Sequence, residues 1–459
     1  MSVDTLPLTA HVTAHLSGRP SAASPGTGST SADTPLPVLG RDVRVPLAGG
    51  GDAPYAALDY AASAPALQRV WDDVAAYAPC YGSVHRGAGR LSQLSTELYE
   101  QSRATVARFL GCRPGDQVIF TRATTDSLNL LAHVLPADTR VFVFETEHHA
   151  ALLPWRDHRT RCLPAPRSPE QAVAALEAAL RAAPAGPRLV CVTGASNVTG
   201  EIWPVRELAR VARRHGARIV LDAAQLAPHH PVDIAALDVD WVALSGHKLY
   251  APFGAGVLAG RADWPDAAPP YLAGGGAGRR VERGPDGGVA VEWHTGPARH
   301  EAGSPNVIGA YALASACRAL EAAGFDRLLR REQRLLRGVL DGLAGVPGAR
   351  VLSLFGEEPG RAGPAGRVGV VSFVAEGRDS AELAEALSAE YGIGARAGLF
   401  CAHPLLRVLL GGAPAGPDTC GAAGAPMNAV RVSFGAGTPD EHVDRLLTAV
   451  RALVRSPRG

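Results

Sequence analysis

Two short apolar runs within residues 218–256 constrain this chain more than any other feature. Ile219, Val220 and Leu221 form the first, and Trp241, Val242, Ala243 and Leu244 the second. Each is too short for a helix and suits a strand buried on both faces of a parallel sheet. Each stops abruptly at polar residues. The first ends on Asp222, with Gln225 one turn later, and the second on Ser245-Gly246-His247-Lys248. Similar runs at 118–120, 141–144 and 189–192 alternate with helical stretches at 128–134 and 205–215, the latter closed by Gly216. Alternation from about 115 to 260 predicts a doubly wound, mostly parallel α/β sheet.

In such sheets, ligands sit just beyond the carboxyl ends of the strands. Asp222 and Lys248 therefore meet in one crevice, each delivered by its own strand. An acid and a lysine so placed fit a pyridoxal phosphate site. The amine forms a Schiff base with the cofactor aldehyde, and the carboxylate keeps the pyridinium nitrogen protonated, so the ring accepts electrons. Ser245 and His247 flank the lysine and are candidates to hold the phosphate. A bare Ser-x-His-Lys recurs by chance, but Asp-Ala-Ala-Gln on a neighbouring buried strand makes the set specific. Together these residues resemble the fold-type I, class V aminotransferase-like enzymes, most closely their cysteine desulfurase and selenocysteine lyase branch. The resemblance implies that Lys248 carries the cofactor. It also implies the fold of a fold-type I transferase with a smaller α+β C-terminal domain.

Composition excludes several other classes. The chain has 459 residues, 46% of them hydrophobic, enough for two domains with a large core. Its 45 basic and 44 acidic residues leave a formal charge of +1, so no basic excess draws nucleic acid or an anionic membrane surface. No apolar run approaches the ~20 residues of a membrane span, and the N-terminus lacks the charged start and apolar core of a secretory signal. Seven cysteines are scattered without a CxxC pair. They read as reduced thiols in a cytoplasmic protein, with no zinc site and no other metal expected.

Residues 1–51, rich in Ser, Thr, Pro, Ala and Gly, read as a flexible tail, with order beginning near Tyr55. Residues 52–310 then form the large cofactor-binding domain, whose first segment contributes to the small domain. Residues 311–459 supply a linker helix and the small C-terminal domain. Beyond Leu58-Asp59-Tyr60-Ala61-Ala62-Ser63, which resembles a site-lining turn of the family, comes Tyr81-Gly82-Ser83-Val84-His85-Arg86-Gly87, similar to a segment near the family's active-site mouth. Strand 118–120 feeds a helix through Thr121-Arg122-Ala123-Thr124-Thr125-Asp126, a candidate anion site because the first helical N–H groups lack internal partners. The resemblance assigns Thr124 and Thr125 to the phosphate.

Further assignments rest on the same resemblance. The Thr146-Glu147-His148 register implies that His148, rather than His149, stacks on the cofactor ring and moves protons. Within Ser196-Asn197-Val198-Thr199-Gly200, Asn197 would bond near the cofactor hydroxyl or the substrate carboxylate. Gly274-Gly275-Gly276 suggests a mobile loop, and Pro285-Asp286-Gly287-Gly288 a hairpin. Arg299-His300-Glu301-Ala302-Gly303-Ser304-Pro305-Asn306 is similar to a motif whose hydroxyl reaches the phosphate of the other subunit, which implies a homodimer with Ser304 at the interface. Arg396-Ala397-Gly398-Leu399-Phe400-Cys401-Ala402-His403-Pro404 resembles the second group of desulfurases, with Cys401 in place of the sulfur-accepting thiol. Arg396 and Arg431 fall where relatives bind the substrate carboxylate, a task suited to a guanidinium fork. The stretch between Cys401 and Arg431 is longer than in the family's pattern.

These residues imply a cytoplasmic, homodimeric desulfurase that converts L-cysteine to L-alanine, leaves a persulfide on Cys401, and passes sulfur to an acceptor protein. Flanking glycines, Gly398 and Gly411-Gly412, would let a Cys401 loop swing into the site. The same cofactor apparatus would serve a class V aminotransferase, epimerase or lyase of specialised metabolism, and only Cys401 speaks for sulfur. A catalytically silent scaffold has no need of Lys248.

Overall fold

The computed structural model describes residues 34–85, 87–156, 158–356, 366–411 and 428–455. Arg86, Gly412, Cys420, residues 1–33 of the expected tail, and 412–427 of the stretch after Cys401 lie outside these.

Strands β1 (Arg44–Pro46) and β2 (Asp52–Pro54) form an antiparallel hairpin and precede β3 (Ala56–Ala57). The main sheet comprises β4 (Asp116–Thr121), β5 (Arg140–Phe144), β6 (Arg159–Leu163), β7 (Arg188–Thr193), β8 (Arg218–Asp222), β9 (Trp241–Ser245) and β10 (Gly256–Arg261). Their spatial order is β4-β10-β9-β8-β7-β5-β6. Pairings are parallel except those of β10, which runs antiparallel to β4 and β9.

The short apolar runs form strands because both faces of the sheet are covered. Ile219 and Leu221 pack into one core layer and Val220 into the opposite one, as the two-residue period of a strand requires. The helix Val205–Arg214 buries Val205, Leu208, Ala209, Val211 and Ala212 and turns its arginines outward. Each buried Val or Leu contributes about 1.5–3 kcal/mol relative to exposure. The layers hold β7, β8 and β9 rigidly, so their polar carboxyl ends are fixed in space.

Strands β11 (Gly278–Arg283) and β12 (Val289–Trp293) form the hairpin expected around residues 285–288. The helix Val307–Ala323 leads to a second, antiparallel sheet. It contains β13 (Ala349–Val351), β14 (Val370–Ala375), β16 (Arg396–Gly398) and β17 (Ala429–Ser433), in the order β13-β14-β17-β16. β15 (Ile393–Gly394) instead pairs in parallel with β3, so the N-terminal segment joins this part of the molecule. Helices Phe325–Ala344, Ser380–Tyr391 and Asp440–Arg455 supply Leu335, Leu336, Val339, Leu383, Leu387, Leu446 and Val450 to its core.

Order begins earlier than the composition of the first 51 residues suggests. The Leu36 amide donates to Ala436 (2.8 Å), Leu39 to Ala66 (2.8 Å) and Ala48 to Ala389 (2.7 Å). Partners so distant in sequence leave no trace in local composition, and they tie the segment down. The loop after β7 is fixed to the second sheet in a comparable way. The buried Glu201 carboxylate accepts from the amides of Leu354 (2.9 Å) and Phe355 (3.0 Å) and the Ser353 hydroxyl (2.6 Å). Gly200 has φ 73°, and a Cβ there would lie 2.3 Å from the Val370 carbonyl oxygen, so only glycine permits this approach.

Candidate active site

The carboxyl ends of β5, β7, β8 and β9 open into one cavity, closed on its far side by β16, β17 and residues 400–401. Thr124, Thr125, His148, Asn197, Asp222, Gln225, Ser245, His247, Lys248, Arg396, Cys401 and Arg431 all line it. Twelve residues expected at the site, spread over more than three hundred positions, are thus brought together. Ser304 is not among them. It lies in a separate depression with Tyr99, Phe120, Tyr271 and Asn306, away from the cavity of its own chain.

At one end, Asp222 closes β8. Its Oδ1 accepts from the Ala224 amide at 2.9 Å, which holds the carboxylate at the turn. Gln225, one turn on, donates through Nε2 to the Ala61 carbonyl (2.8 Å) and so draws the Asp59–Ser63 turn into the cavity wall. Burial raises the Asp222 carboxyl above its usual range. Burial also pushes the Lys248 ammonium down from 10.5 to about 8. A lysine so displaced has a substantial neutral fraction near physiological pH, as a nucleophilic amine needs.

At the other end, Ser245 closes β9, and its Oγ accepts from the Thr124 amide at 2.8 Å and lies 2.7 Å from Thr124 Oγ1. The N-cap is Ala123, without a side-chain bond, and Ser245 caps from the neighbouring strand instead. β10 crosses directly beneath: a Cβ on Gly256 would lie 2.6 Å from Ala123 Cα. Helix N-terminus, Thr124, Thr125, Ser245 and His247 together make a donor-rich corner that suits a phosphate-sized anion.

His148 sits between these ends as N-cap of the helix His149–Leu152, and its Nδ1 accepts from the Ala150 amide at 3.0 Å. That bond places the ring proton on Nε2. Burial first, and the Lys248 charge second, push the imidazole down to about 3. His148 is therefore a neutral ring that carries its proton on Nε2 across the whole physiological range.

Arg396 and Arg431 are direct cross-strand partners on β16 and β17. Like charges opposite one another are destabilising unless an anion lies between them. Arg431 is buried, donates to Asp59 Oδ1 (2.8 Å) and the Asn197 carbonyl (3.1 Å), and keeps its Nε–H without a partner. Two guanidinium groups set opposite one another, one of them buried and oriented, suit a carboxylate. Cys401 is exposed at the rim, and its carbonyl accepts from the His149 amide at 2.8 Å.

Sequence reasoning missed three participants. Asp59 anchors Arg431 across 372 residues; the resemblance placed its turn at the site, but no local signal revealed the pairing. Phe400 lies under the Arg431 guanidinium, with 4.9 Å from its centroid to Cζ. Glu147 is fully buried beside Thr193, whose amide donates to Oε1 (3.1 Å), and Oε2 has no partner. Only the register Thr146-Glu147-His148 hinted at it.

Comparison with known proteins agrees with this geometry. The chain matches the Aminotransferase class-V family over residues 56–446. It is 32% identical to a cysteine desulfurase of Escherichia coli over 443 residues, covering 92% of this chain and 97% of that one. A cysteine desulfurase of Dickeya dadantii is 37% identical, covering 77% of this chain and 84% of that one. Among solved structures, the apo cysteine desulfurase from Thermococcus onnurineus NA1 superposes with a TM-score of 0.75 at 31% identity, covering 87% of this chain and 95% of that one. With matched sequence over most of its length and the same fold, the chain belongs to the class V aminotransferase family.

Proposed function

We propose that the protein is a pyridoxal-phosphate-dependent cysteine desulfurase, which converts L-cysteine to L-alanine and leaves the sulfur as a persulfide on Cys401. One observation carries the reading: Cys401 lines the same cavity as Lys248, Arg396 and Arg431. Thiol, amine and carboxylate receptor thus converge on a space where a small amino acid fits.

The residues present fit the cofactor. Lys248 is the amine that would hold it, and Asp222 the acid for its ring nitrogen. His148 would lie against the ring, Thr124, Thr125, Ser245 and His247 would hold the phosphate, and Asn197 and Gln225 would serve the ring's oxygen side. When bound, it supplies an electron sink for the bond-breaking at the substrate.

The chain's own groups do the rest. Arg396 and Arg431 take the substrate carboxylate and so fix which face of Cα meets Lys248. Lys248, already poised near neutrality, removes the Cα proton. The Cys401 thiolate attacks the substrate sulfur, the C–S bond breaks, and the Cβ carbanion character is quenched by a proton. Atoms balance: L-cysteine and the Cys401 thiol give L-alanine and the Cys401 persulfide. His148, neutral with its proton on Nε2, can donate but cannot act as a cation.

The wider reading follows from the same features. We take residues 52–310 as the large domain and 311–459 as the linker helix and small domain; the seven-stranded and four-stranded sheets support this division, with the N-terminal segment reaching across through β3. Ser304, turned away from its own cavity, is available to a second copy, which supports a homodimer. Six free thiols among the described residues suit a reducing cytoplasm, and an exposed Cys401 suits transfer to an acceptor protein.

Cys401→Ala tests the function. The variant, loaded with cofactor and given L-cysteine, is expected to exchange the Cα proton yet release no alanine above background by mass spectrometry, and to carry no persulfide. Alanine release at the wild-type rate would overturn the sulfur chemistry and favour an aminotransferase or epimerase.

A further inference from the structure

Cys401 stands on a tight turn that its sequence does not favour. The Ala402 amide donates to the Leu399 carbonyl at 2.9 Å, which makes Phe400 and Cys401 the two central residues. Both have positive φ, 52° and 53°. Turns with two such residues are normally built from Gly, Asn or Asp. A bulky aromatic in this region is strained and persists only where its surroundings hold it. The expected swinging loop is thus, at its tip, a held turn.

Three contacts hold it. Asn197 Nδ2 donates to the Phe400 carbonyl at 2.8 Å. The His149 amide donates to the Cys401 carbonyl at 2.8 Å. The buried Phe400 ring lies under the Arg431 guanidinium, with Cζ 4.9 Å from the centroid. Asn197 closes the circuit, since its own carbonyl accepts from Arg431. The guanidinium is thereby braced on one side by Asp59 and on its face by Phe400, while its buried Nε–H has no partner.

We propose that Phe400 is a positioning residue that couples carboxylate recognition at Arg431 to placement of the Cys401 thiol. One ring does both: it orients the guanidinium, and the same contact fixes the turn that carries the nucleophile. A substrate whose carboxylate engages Arg431 therefore meets a thiol already placed, and a compound without the carboxylate leaves the brace unused. The inference rests on reading Arg431 as the carboxylate partner and Cys401 as the sulfur acceptor.

The test uses the cofactor-loaded enzyme and two readouts besides turnover. L-alanine, which carries the carboxylate but no sulfur, is titrated while the cofactor absorption is followed. Alkylation of Cys401 by iodoacetamide is timed without amino acid, with Cys401→Ala as the labelling control. Phe400→Leu keeps most of the volume but loses the π face. It is expected to weaken L-alanine binding roughly 3- to 30-fold, the range of a buried cation–π contact, and to accelerate alkylation of the released turn. Phe400→Tyr restores both. Unchanged L-alanine affinity in Phe400→Leu, no rescue by Phe400→Tyr, or no L-alanine binding by the wild type would each overturn the proposal. A Cys401→Ala enzyme that still releases alanine would sink the desulfurase reading instead, and would leave the L-alanine result standing.

Discussion

Lys248 should be a stability liability that the protein tolerates for chemistry. Burial displaces its ammonium from 10.5 to about 8. That displacement corresponds to about 3 kcal/mol against the charged form at neutral pH. Two effects reduce the figure. The side chain lines an open cavity and keeps some contact with water, and Lys248 partly compensates the buried Asp222 carboxylate. Replacing it by methionine removes the charge and keeps the length, so cofactor-free Lys248→Met should gain about 1–3 kcal/mol over cofactor-free wild type at pH 7. The sign with pH follows from proton counting. Below pH 8 both folded and unfolded lysine are charged, and the folded state bears the full penalty. Between pH 8 and 10.5 the folded lysine is neutral while the unfolded one still holds its proton, so wild-type stability recovers as pH rises. The advantage of Lys248→Met should therefore be constant from pH 6 to 7.5 and shrink towards pH 10.5. Thermal melts of both cofactor-free proteins across that range measure it, and titrating groups not coupled to Lys248 cancel in the difference. A variant no more stable at pH 7, or an advantage that does not shrink with alkalinity, would refute the reasoning.

Glu147 should show the opposite slope. Burial, with the Asp222 charge second, holds its carboxyl protonated well above the usual range, so its contribution is complete below about pH 4.5 and declines as pH rises. Cys162 on β6, Cys191 on β7 and Asp222 on β8 face it, and none supplies a positive charge. Glu147→Gln, neutral at every pH, should melt progressively higher relative to wild type between pH 5 and 8; parallel melting curves would show Glu147 ionised in the fold. Ser304→Ala should retain the cavity of its own chain but lose the cofactor several-fold faster on dialysis, with a homodimer mass in light scattering. A monomer that keeps its cofactor fully would contradict the shared site.

Much of this architecture was legible because strand burial and strand termination write themselves into short windows. Ile219, Val220 and Leu221 can be buried on both faces only in a covered sheet, and the polar break at Asp222 marks the edge where ligands bind. Lys248 follows from the same reasoning, whereas Thr124 and His148 follow from the family resemblance of segments just beyond strand ends. It did not locate contacts made by long closure of the chain. Asp59 meets Arg431 across 372 residues, and the Leu36, Leu39 and Ala48 amides find carbonyls that a compositional reading of the first 51 residues cannot see.

Phe400 illustrates a different kind of illegibility. Turn chemistry alone argues against Phe-Cys as the centre of a primed turn, because local preference and tertiary demand disagree there. Glycine at either position would relax the backbone, but a glycine carries no thiol and no ring for Arg431. A residue that violates its local rule and is held by three contacts, one of them from the carboxylate receptor, is best explained by what the violation accomplishes. Strain at the turn is the cost of presenting Sγ from a fixed backbone, so the thiol's position is decided before substrate arrives. Glycine-flanked mobility, which the sequence suggested for this loop, would have left that decision to chance encounter of a swinging chain. Gly398 and Gly411, with φ of 122° and 74°, flank a tip that is itself clamped.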